Sequence, residues 1–124
     1  MTSFKKQIPD YRELIDDSLN KILPASNQSS KELNLAMAYS VLNGGKRIRP
    51  LMMIASAKTL DIDIQEVIPF AASIELLHSF SLIHDDLPCM DDDSFRSGQP
   101  TTHVKCVEAS ATLAADSLQS LAFE

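Results

Sequence analysis

The sequence predicts an all-α fold, a helical bundle forming a single domain, and three observations support this. Only three glycines occur in 124 residues, which leaves few positions for the tight turns of a β protein. Apolar residues recur every three to four positions, and few segments alternate apolar with polar residues. Apolar residues make up 44% of the chain, which is enough for a buried core.

Charge and cysteine content exclude several classes of protein. Eleven Lys and Arg residues against seventeen Asp and Glu give a net charge of -6, which argues against a nucleic-acid-binding face. Cys89 and Cys106 make no disulfide framework and are typical of a cytoplasmic protein. The first residues lack the apolar segment of a signal peptide. The most apolar stretch, residues 67–83, contains a proline, a glutamate and a histidine, which argues against a membrane span.

The first predicted helix begins at Asp10, which follows a proline and forms a capping box with Glu13. Pro24 ends this helix, because proline cannot continue helical hydrogen bonding. The apolar positions form one stripe, which comprises Tyr11, Leu14, Ile15, Leu19, Ile22 and Leu23.

Ser29 and Glu32 predict the start of a second helix, and Gly44 is its natural stop. The apolar face of this helix comprises Leu33, Ala36, Met37 and Val41. Pro50 is well placed to start a third helix, with the sequence LMMIASAKTL. Because that segment is apolar on nearly every side, we expect it to be buried.

Asp63 and Glu66 predict a fourth helix that runs to about Leu87, where the following proline disfavours helical geometry. Residues 91–100 are predicted to form a polar loop. Thr101 is a candidate N-cap for the last helix. The apolar stripe of that helix comprises Val104, Val107, Ala111, Ala114, Leu118 and Leu121.

Residues 84–93, HDDLPCMDDD, form an acidic segment whose carboxylates are Asp85, Asp86, Asp91, Asp92 and Asp93. Like charges this close repel one another unless a cation lies between them. Hard oxygen ligands suit Mg²⁺, which takes one or two carboxylates and completes its shell with water and phosphate oxygens. The alternative is a solvated acidic loop. A calcium loop fits less well, because Arg96 stands where its glycine is expected.

Helical spacing connects the acidic segment to earlier residues. His78 and Asp85 are two helical turns apart, so they share one face at a separation of about 10 Å. Glu75 lies near the same line, and apolar helices rarely place three such groups on one stripe without a use. The alternative is that His78 is an ordinary core residue.

Residues 44–50, GGKRIRP, form a basic turn after the second helix. Two glycines free the backbone, and Lys46, Arg47 and Arg49 supply cations that suit a diphosphate group. Such a turn is also commonly just solvated, and it lacks the Lys-Ser/Thr ending of a nucleotide P-loop. With Arg96 as a further cation, the basic turn and the acidic segment together predict a metal–diphosphate site.

Four blocks resemble the trans-prenyl diphosphate synthases, and most closely the bacterial farnesyl diphosphate synthases: GGKRIRP, IELLHSFSLIHDDLPCMDDD, GQPTTH and LQSLAFE. The resemblance covers the chain from about Asp10 onward. It implies that residues 1–124 are the N-terminal portion of one synthase domain, a helical bundle of the isoprenoid synthase type. The implied reaction joins isopentenyl diphosphate to dimethylallyl or geranyl diphosphate by Mg²⁺-assisted ionisation.

The resemblance also assigns roles to individual residues. The catalytic, metal-binding residues would be Asp85 and Asp91, with Asp86 assisting in the same cluster. The residues that hold isopentenyl diphosphate would be Lys46, Arg49 and His78, and the residue that contacts the allylic diphosphate would be Arg96.

Product length is assigned to Phe80 and its neighbour Ser81. Phe80 lies five residues before Asp85, below the metal, where a growing tail would descend. A bulky ring at that depth would form the floor of the cavity, which in this family corresponds to a C15 product, farnesyl diphosphate. The alternative is that Phe80 is an ordinary core aromatic residue.

The chain departs from the family pattern at several positions. Ser97 stands where a second arginine is usual, which should weaken the binding of isopentenyl diphosphate. Cys106, Val107 and Ala115 also replace the usual residues, and we expect these to be packing changes. Family members are more than twice as long, and the last apolar stripe is still running at Glu124. We therefore expect an incomplete N-terminal fragment that lacks a second Asp-rich motif.

Two other functions stay open. One is a non-catalytic relic or partner subunit of a prenyl synthase. The other is a metal phosphohydrolase in which His84 and Asp85 bind the metal, with only His78 and His103 available as further histidines. We expect a cytoplasmic protein that binds no nucleic acid and has no membrane span, and that forms a homodimer or pairs with other helices.

Overall fold

The computed structural model describes residues 3–25 and 30–124, and six helices lie in these two ranges. They are α1 (Phe4–Ile22), α2 (Lys31–Leu42), α3 (Ile48–Thr59), α4 (Ile64–Asp86), α5 (Thr102–Lys105) and α6 (Glu108–Ala122). A short antiparallel hairpin of β1 (Phe95–Arg96) and β2 (Gln99–Pro100) joins α4 to α5. The predicted all-α class is confirmed, with this hairpin as the exception among the residues described.

Helix α4 is the centre of the bundle and packs against α1, α3 and α6. The core between these helices includes the fully buried side chains of Ile15, Leu19, Ile54, Leu76 and Leu118. Burial of such branched side chains provides the main stabilisation of the fold.

In the described ranges, α4 is the one helix that is long and apolar enough to cross a membrane. On sequence grounds, the polar residues in this segment argue against a membrane span. Within the bundle, its side chains Ala72, Leu76 and Ile83 are buried in the core. Glu75, near the middle of α4, forms an ion pair with Arg47. These are the properties of a core helix in a packed bundle.

Helix α1 begins at Phe4, well before the predicted start at Asp10, and Pro9 lies inside it. The ring of Phe4 stacks on Tyr11 with 5.5 Å between centroids, and Ile8 packs against the core. Partial burial of Phe4 and Ile8 therefore extends the helix N-terminally beyond the predicted capping box.

The second and third helices differ from prediction at their N-terminal ends. Ser29, the predicted first residue of α2, lies outside the described residues, and Ser30 occupies the N-cap position. Helix α2 ends before Gly44, as predicted. Helix α3 includes Pro50 in its first turn rather than starting there, and Met52 is 65% exposed, so the expectation that this whole segment is buried was wrong.

The start of α4 was predicted correctly, whereas the predicted polar loop contains the hairpin. Asp63 is the N-cap of α4, and its carboxylate accepts a hydrogen bond from the Gln65 N–H at 3.0 Å. In the hairpin, Ser97 (φ 52°) and Gly98 (φ 77°) form a two-residue turn with both residues left-handed.

The single last helix that was predicted is two helices, because the chain breaks at Cys106 and Val107. Val107 is fully extended (φ -137°, ψ 159°), a conformation that its β-branched side chain favours. Thr101 is the N-cap residue of α5, as predicted for the start of a helix, but its hydroxyl makes no capping hydrogen bond and instead donates to the Asp93 carbonyl at 2.8 Å. Val104 and Val107 are exposed, so they lie outside the buried stripe.

Candidate functional site

A cavity of about 330 Å³ lies between α2, α4, the basic turn and the hairpin. Its lining includes the predicted diphosphate-binding residues Lys46, Arg49, His78 and Arg96, together with Asp86 of the acidic segment and Ser97 of the hairpin. The fold therefore brings together polar groups from three separate segments of the chain.

The basic turn reaches the cavity through left-handed backbone. Gly44 (φ 89°) and Gly45 (φ 117°) adopt conformations in which any other residue would be strained. Arg47 is also left-handed (φ 55°), and it is the N-cap residue of α3. This path leaves Lys46 and Arg49 exposed at the cavity.

Arg47 is buried within the bundle, unlike the other two cations of the basic turn. Its guanidinium donates to the carboxylates of Asp16 on α1 and Glu75 on α4, and to the Val41 carbonyl on α2, each at 2.9 Å. The residue is only 5% exposed. The sequence pattern counted Arg47 among the cations available to a diphosphate, and this was wrong, because its charge is neutralised by two carboxylates.

His78 faces Arg49 at the wall of the cavity, with 3.3 Å between Nε2 and the arginine Nη1. Partial burial and, next in size, the positive charge of Arg49 lower the pKa of His78 below its ordinary value of 6.5. At neutral pH the imidazole is therefore uncharged, and its Nε2 can accept a hydrogen bond from Arg49.

The acidic segment brings the main chains of Asp85 and Asp91 together, and neither residue lines the cavity. The Asp91 N–H donates to the Asp85 carbonyl at 2.8 Å, and both residues are exposed. Over residues 3–25 and 30–124, no three Asp, Glu, His or Cys side chains gather closely enough to enclose a metal by themselves. Exposed carboxylates without a closed set of ligands fit Mg²⁺, which keeps water and phosphate oxygens in its shell, better than a closed zinc site.

Asp86 differs from its acidic neighbours because it is only 3% exposed and fully paired. Its two carboxylate oxygens accept hydrogen bonds from Arg96, at 2.7 Å from Nη2 and at 3.0 Å from Nε. This hydrogen bonding raises the pKa of Arg96. The assignment of Asp86 to the metal cluster remains a prediction.

Phe80 and Ser81 lie on α4 but do not line this cavity. The Phe80 ring packs against the core and meets the ring of His84 edge-on, with 4.9 Å between centroids. The Ser81 hydroxyl donates to the His78 carbonyl at 2.7 Å. Their role in product length remains a prediction.

His84 is directed towards α6. Its Nε2 lies 3.5 Å from the Asp116 carboxylate, and this buried nitrogen makes no hydrogen bond in the part of the chain that the structure describes. His84 is therefore not paired with Asp85 as a metal phosphohydrolase would require, and that function is not favoured.

Sequence reasoning did not place Tyr39 or Thr101 at the cavity, although both residues line it. The Tyr39 hydroxyl donates to the Pro100 carbonyl at 2.6 Å and ties the hairpin to α2. These partners are 61 residues apart, so no local pattern in the sequence could have identified the contact.

Comparison with known proteins places these features in a family. Residues 30–124 match the polyprenyl synthetase family. The chain is 45% identical over its whole length to the farnesyl diphosphate synthase of Haemophilus influenzae, of which it covers 42%. It is 42% identical over 93% of its length to the geranylgeranyl diphosphate synthase of Cyanophora paradoxa, of which it covers 38%.

A solved structure shows the same similarity in three dimensions. An apo FPP/GFPP synthase from Zymomonas mobilis matches 97% of this chain with a TM-score of 0.91 and 39% identity. The match covers 43% of that chain, so the sequence described here spans less than half the length of these relatives. Because the family match extends over most of its residues and the helical architecture agrees, the chain belongs to the polyprenyl synthetase family.

Proposed function

We propose that the protein is a prenyl diphosphate synthase of the farnesyl diphosphate synthase type and that residues 1–124 contribute part of its substrate site. The observation that supports this most strongly is the shared cavity. Lys46, Arg49 and His78 lie at one side of it, and Arg96 lies next to the acidic segment. These groups suit two diphosphate substrates, and the exposed carboxylates of Asp85 and Asp91, at the end of α4 and just beyond it, suit a metal bound with one of them.

Isopentenyl diphosphate would bind to the basic turn. Lys46 and Arg49 are exposed and supply positive charge, and the guanidinium fork of Arg49 matches pairs of phosphate oxygens. The contact between Arg49 and the uncharged His78 orients that guanidinium. Ser97, at the cavity wall, adds a hydroxyl where the family usually has an arginine, so we expect weaker binding of this substrate.

The allylic diphosphate would bind between Arg96 and the acidic segment. Asp85 and Asp91 would hold Mg²⁺, which would supply positive charge for the departing diphosphate. Arg96 is placed to stabilise the same charge as the allylic C–O bond ionises. The isopentenyl double bond then attacks the carbocation, and a proton is lost.

The proposal extends to product length, location and assembly. Phe80, with Ser81 beside it, would limit the product to farnesyl diphosphate. A cytoplasmic location and a homodimer, or pairing with other helices, are expected as well. Leu113 on α6 and the adjoining Phe123 are 58% and 78% exposed, which supports pairing, and sedimentation equilibrium would measure it.

Titration of the isotope-labelled 124-residue chain with pyrophosphate, with and without Mg²⁺, tests the site directly by NMR. We expect amide shifts in the basic turn with pyrophosphate alone, and additional shifts in residues 85–96 only when Mg²⁺ is present. Inorganic monophosphate is the matched control and should bind more weakly. Absence of any Mg²⁺-dependent response would contradict the proposal.

A prenyl-transfer assay with isopentenyl and geranyl diphosphates then tests the reaction. The full protein should form farnesyl diphosphate, and Phe80→Ala should give longer products. Phosphoester hydrolysis without prenyl transfer would favour the metal phosphohydrolase instead. An unchanged product spectrum would remove Phe80 from its assigned role.

A further inference from the structure

We infer that the Tyr39 hydroxyl positions the hairpin at the cavity, and that Mg²⁺-dependent binding of a diphosphate depends on this contact. The inference rests on the proposed function and adds to it a positioning residue that lies outside the four sequence blocks. Tyr39 acts through the hairpin, without a contact to the ligand.

The hairpin leaves one main-chain acceptor unused by its own strands, and Tyr39 reaches it. The Thr101 N–H donates to the Ser94 carbonyl at 3.0 Å. The adjacent pair, Phe95 and Pro100, therefore occupies a non-hydrogen-bonded position of the hairpin, where the Pro100 carbonyl points away from β1. The Tyr39 hydroxyl donates to this carbonyl at 2.6 Å, at the short end of the range for O–H···O bonds. The outer edge of β2 is thereby tied to α2.

Tyr39 belongs to a part of α2 that the core holds in place. Its neighbours Met37 and Val41 are buried against the other helices. The Val41 carbonyl accepts a hydrogen bond from buried Arg47 at 2.9 Å, which fixes the end of α2 and the basic turn that follows it. The Tyr39 hydroxyl therefore extends from a fixed support and positions the hairpin relative to the basic turn.

The contact closes the wall of the cavity between α2 and the hairpin. Tyr39, Pro100 and Arg96 all line the cavity. Over residues 3–25 and 30–124, the Tyr39 bond is the one side-chain hydrogen bond between α2 and the hairpin. Without the hydroxyl, the hairpin would be hydrogen-bonded from the α4 side only, so Arg96 could shift, while Arg47 would still hold the basic turn. The two sides of the site should therefore respond differently.

Tyr39→Phe removes the hydroxyl and keeps the ring, and pyrophosphate titrations of the isotope-labelled chain followed by NMR measure the result. We expect Mg²⁺-dependent binding, reported by residues 85–96, to weaken about 3- to 10-fold, the effect of one lost hydrogen bond. Mg²⁺-independent binding, reported by the basic turn, should change less than about twofold. A purely structural role would instead lower both affinities by the same factor, because both would follow the folded fraction.

Tyr11→Phe is the matched control, because the chain has two tyrosines and both hydroxyls form hydrogen bonds. The Tyr11 hydroxyl donates to the Gln7 side chain at 3.1 Å and accepts from Lys58 at 2.8 Å, and Tyr11 does not line the cavity. We expect this variant to lose stability, while both pyrophosphate affinities stay within about twofold of wild type.

The ligand-free chain tests the contact without reference to the proposed function. In Tyr39→Phe the carbonyl carbon resonance of Pro100 should shift. The Thr101 N–H should exchange with solvent about 3- to 10-fold faster, because the hairpin opens more readily when one hydrogen bond is lost. Neither change is expected in Tyr11→Phe.

Three results separate the possible failures. Unchanged Mg²⁺-dependent affinity in Tyr39→Phe, or equal weakening of both affinities, would overturn the inference and leave the proposed function standing. Unchanged Pro100 and Thr101 signals in the ligand-free variant would also overturn it. A wild-type chain that binds no pyrophosphate, but whose Pro100 and Thr101 signals respond to Tyr39→Phe, would contradict the proposed function and support the tie between α2 and the hairpin.

Discussion

The basic turn and the acidic segment are built alike with opposite charges. In the basic turn, Arg47 is buried and paired, while Lys46 and Arg49 on either side are exposed. In the acidic segment, Asp86 is buried and paired, while its neighbour Asp85 is exposed. Each region therefore uses one charged residue to hold the chain and leaves residues of the same sign free for a ligand.

The two buried residues differ in where their partners come from. Arg47 binds side chains of α1 and α4 and a carbonyl of α2, so it ties three helices to the start of a fourth. Asp86 binds Arg96, ten residues further along the chain. The first pairing stabilises the bundle and the second stabilises one loop, so similar burial does not imply a similar contribution to stability.

Removal of the Arg47 charge should have the largest effect. Arg47→Met leaves the buried Glu75 carboxylate uncompensated, which should lower the free energy of unfolding by about 3–5 kcal/mol. Urea denaturation measures this. Arg12→Gln is the matched control, because exposed Arg12 donates to the Lys46 carbonyl at 3.2 Å, and it should cost less than about 1 kcal/mol. If Arg47→Met had the same urea denaturation midpoint as wild type, Arg47 would not stabilise the bundle, and the basic turn and the acidic segment would not differ in this respect.

An exposed cation of the same turn should affect binding and not stability. Lys46→Gln should weaken pyrophosphate binding by about 10- to 100-fold, because one charge-assisted contact is lost. Its free energy of unfolding should stay within about 0.5 kcal/mol of wild type. Calorimetric titration measures the affinity, with Lys31→Gln, an exposed cation outside the cavity, as the control. Equal affinities for the two variants would show that Lys46 does not face the ligand.

The acidic counterpart of Arg47 should have a smaller effect on stability. Asp86→Asn should lower the free energy of unfolding by about 1–2 kcal/mol, because the half-exposed Arg96 can regain water when its partner is lost. Urea denaturation of Asp86→Asn and Arg47→Met in parallel measures the two losses in free energy of unfolding, which can then be compared. A loss as large as that of Arg47→Met would show that the loop is as important to the bundle as the basic turn.

The smallest effect is expected from pH, through His78. Its folded-state pKa lies below 6.5, so the unfolded chain binds the proton more readily. The contribution of His78 to stability is therefore complete above pH 6.5 and decreases as the pH falls towards its folded-state pKa. His78→Gln should flatten the dependence of unfolding free energy on pH between 5 and 7 in urea titrations. An identical slope in the variant would assign the dependence to other groups.

Local signals in the sequence were sufficient for part of the fold. The cap at Asp63 and the stop before Gly44 were predicted because a few adjacent residues determine them. The start at Phe4 and the break at Val107 were missed, because the first depends on packing against Tyr11 and the second on an extended residue between two helices.

The candidate site shows the same division. Lys46, Arg49, His78 and Arg96 were predicted from motif and resemblance, and the fold brings all four to one cavity. The burial of Arg47 was missed because its partner Asp16 is 31 residues away on a helix that carries no motif. Ion pairs of that kind are visible only once the helices are packed.

Helix α4 carries both His78 and Asp86 to the cavity without interruption. An α-helix is stiff and advances about 1.5 Å per residue, so the number of residues between His78 and Asp86 fixes the distance between them along the cavity. Substitutions between His78 and Asp86 leave the length of this helical segment unchanged. A single inserted residue would rotate Asp86 by about 100° around the helix axis relative to His78, so this segment can accept substitutions but not insertions.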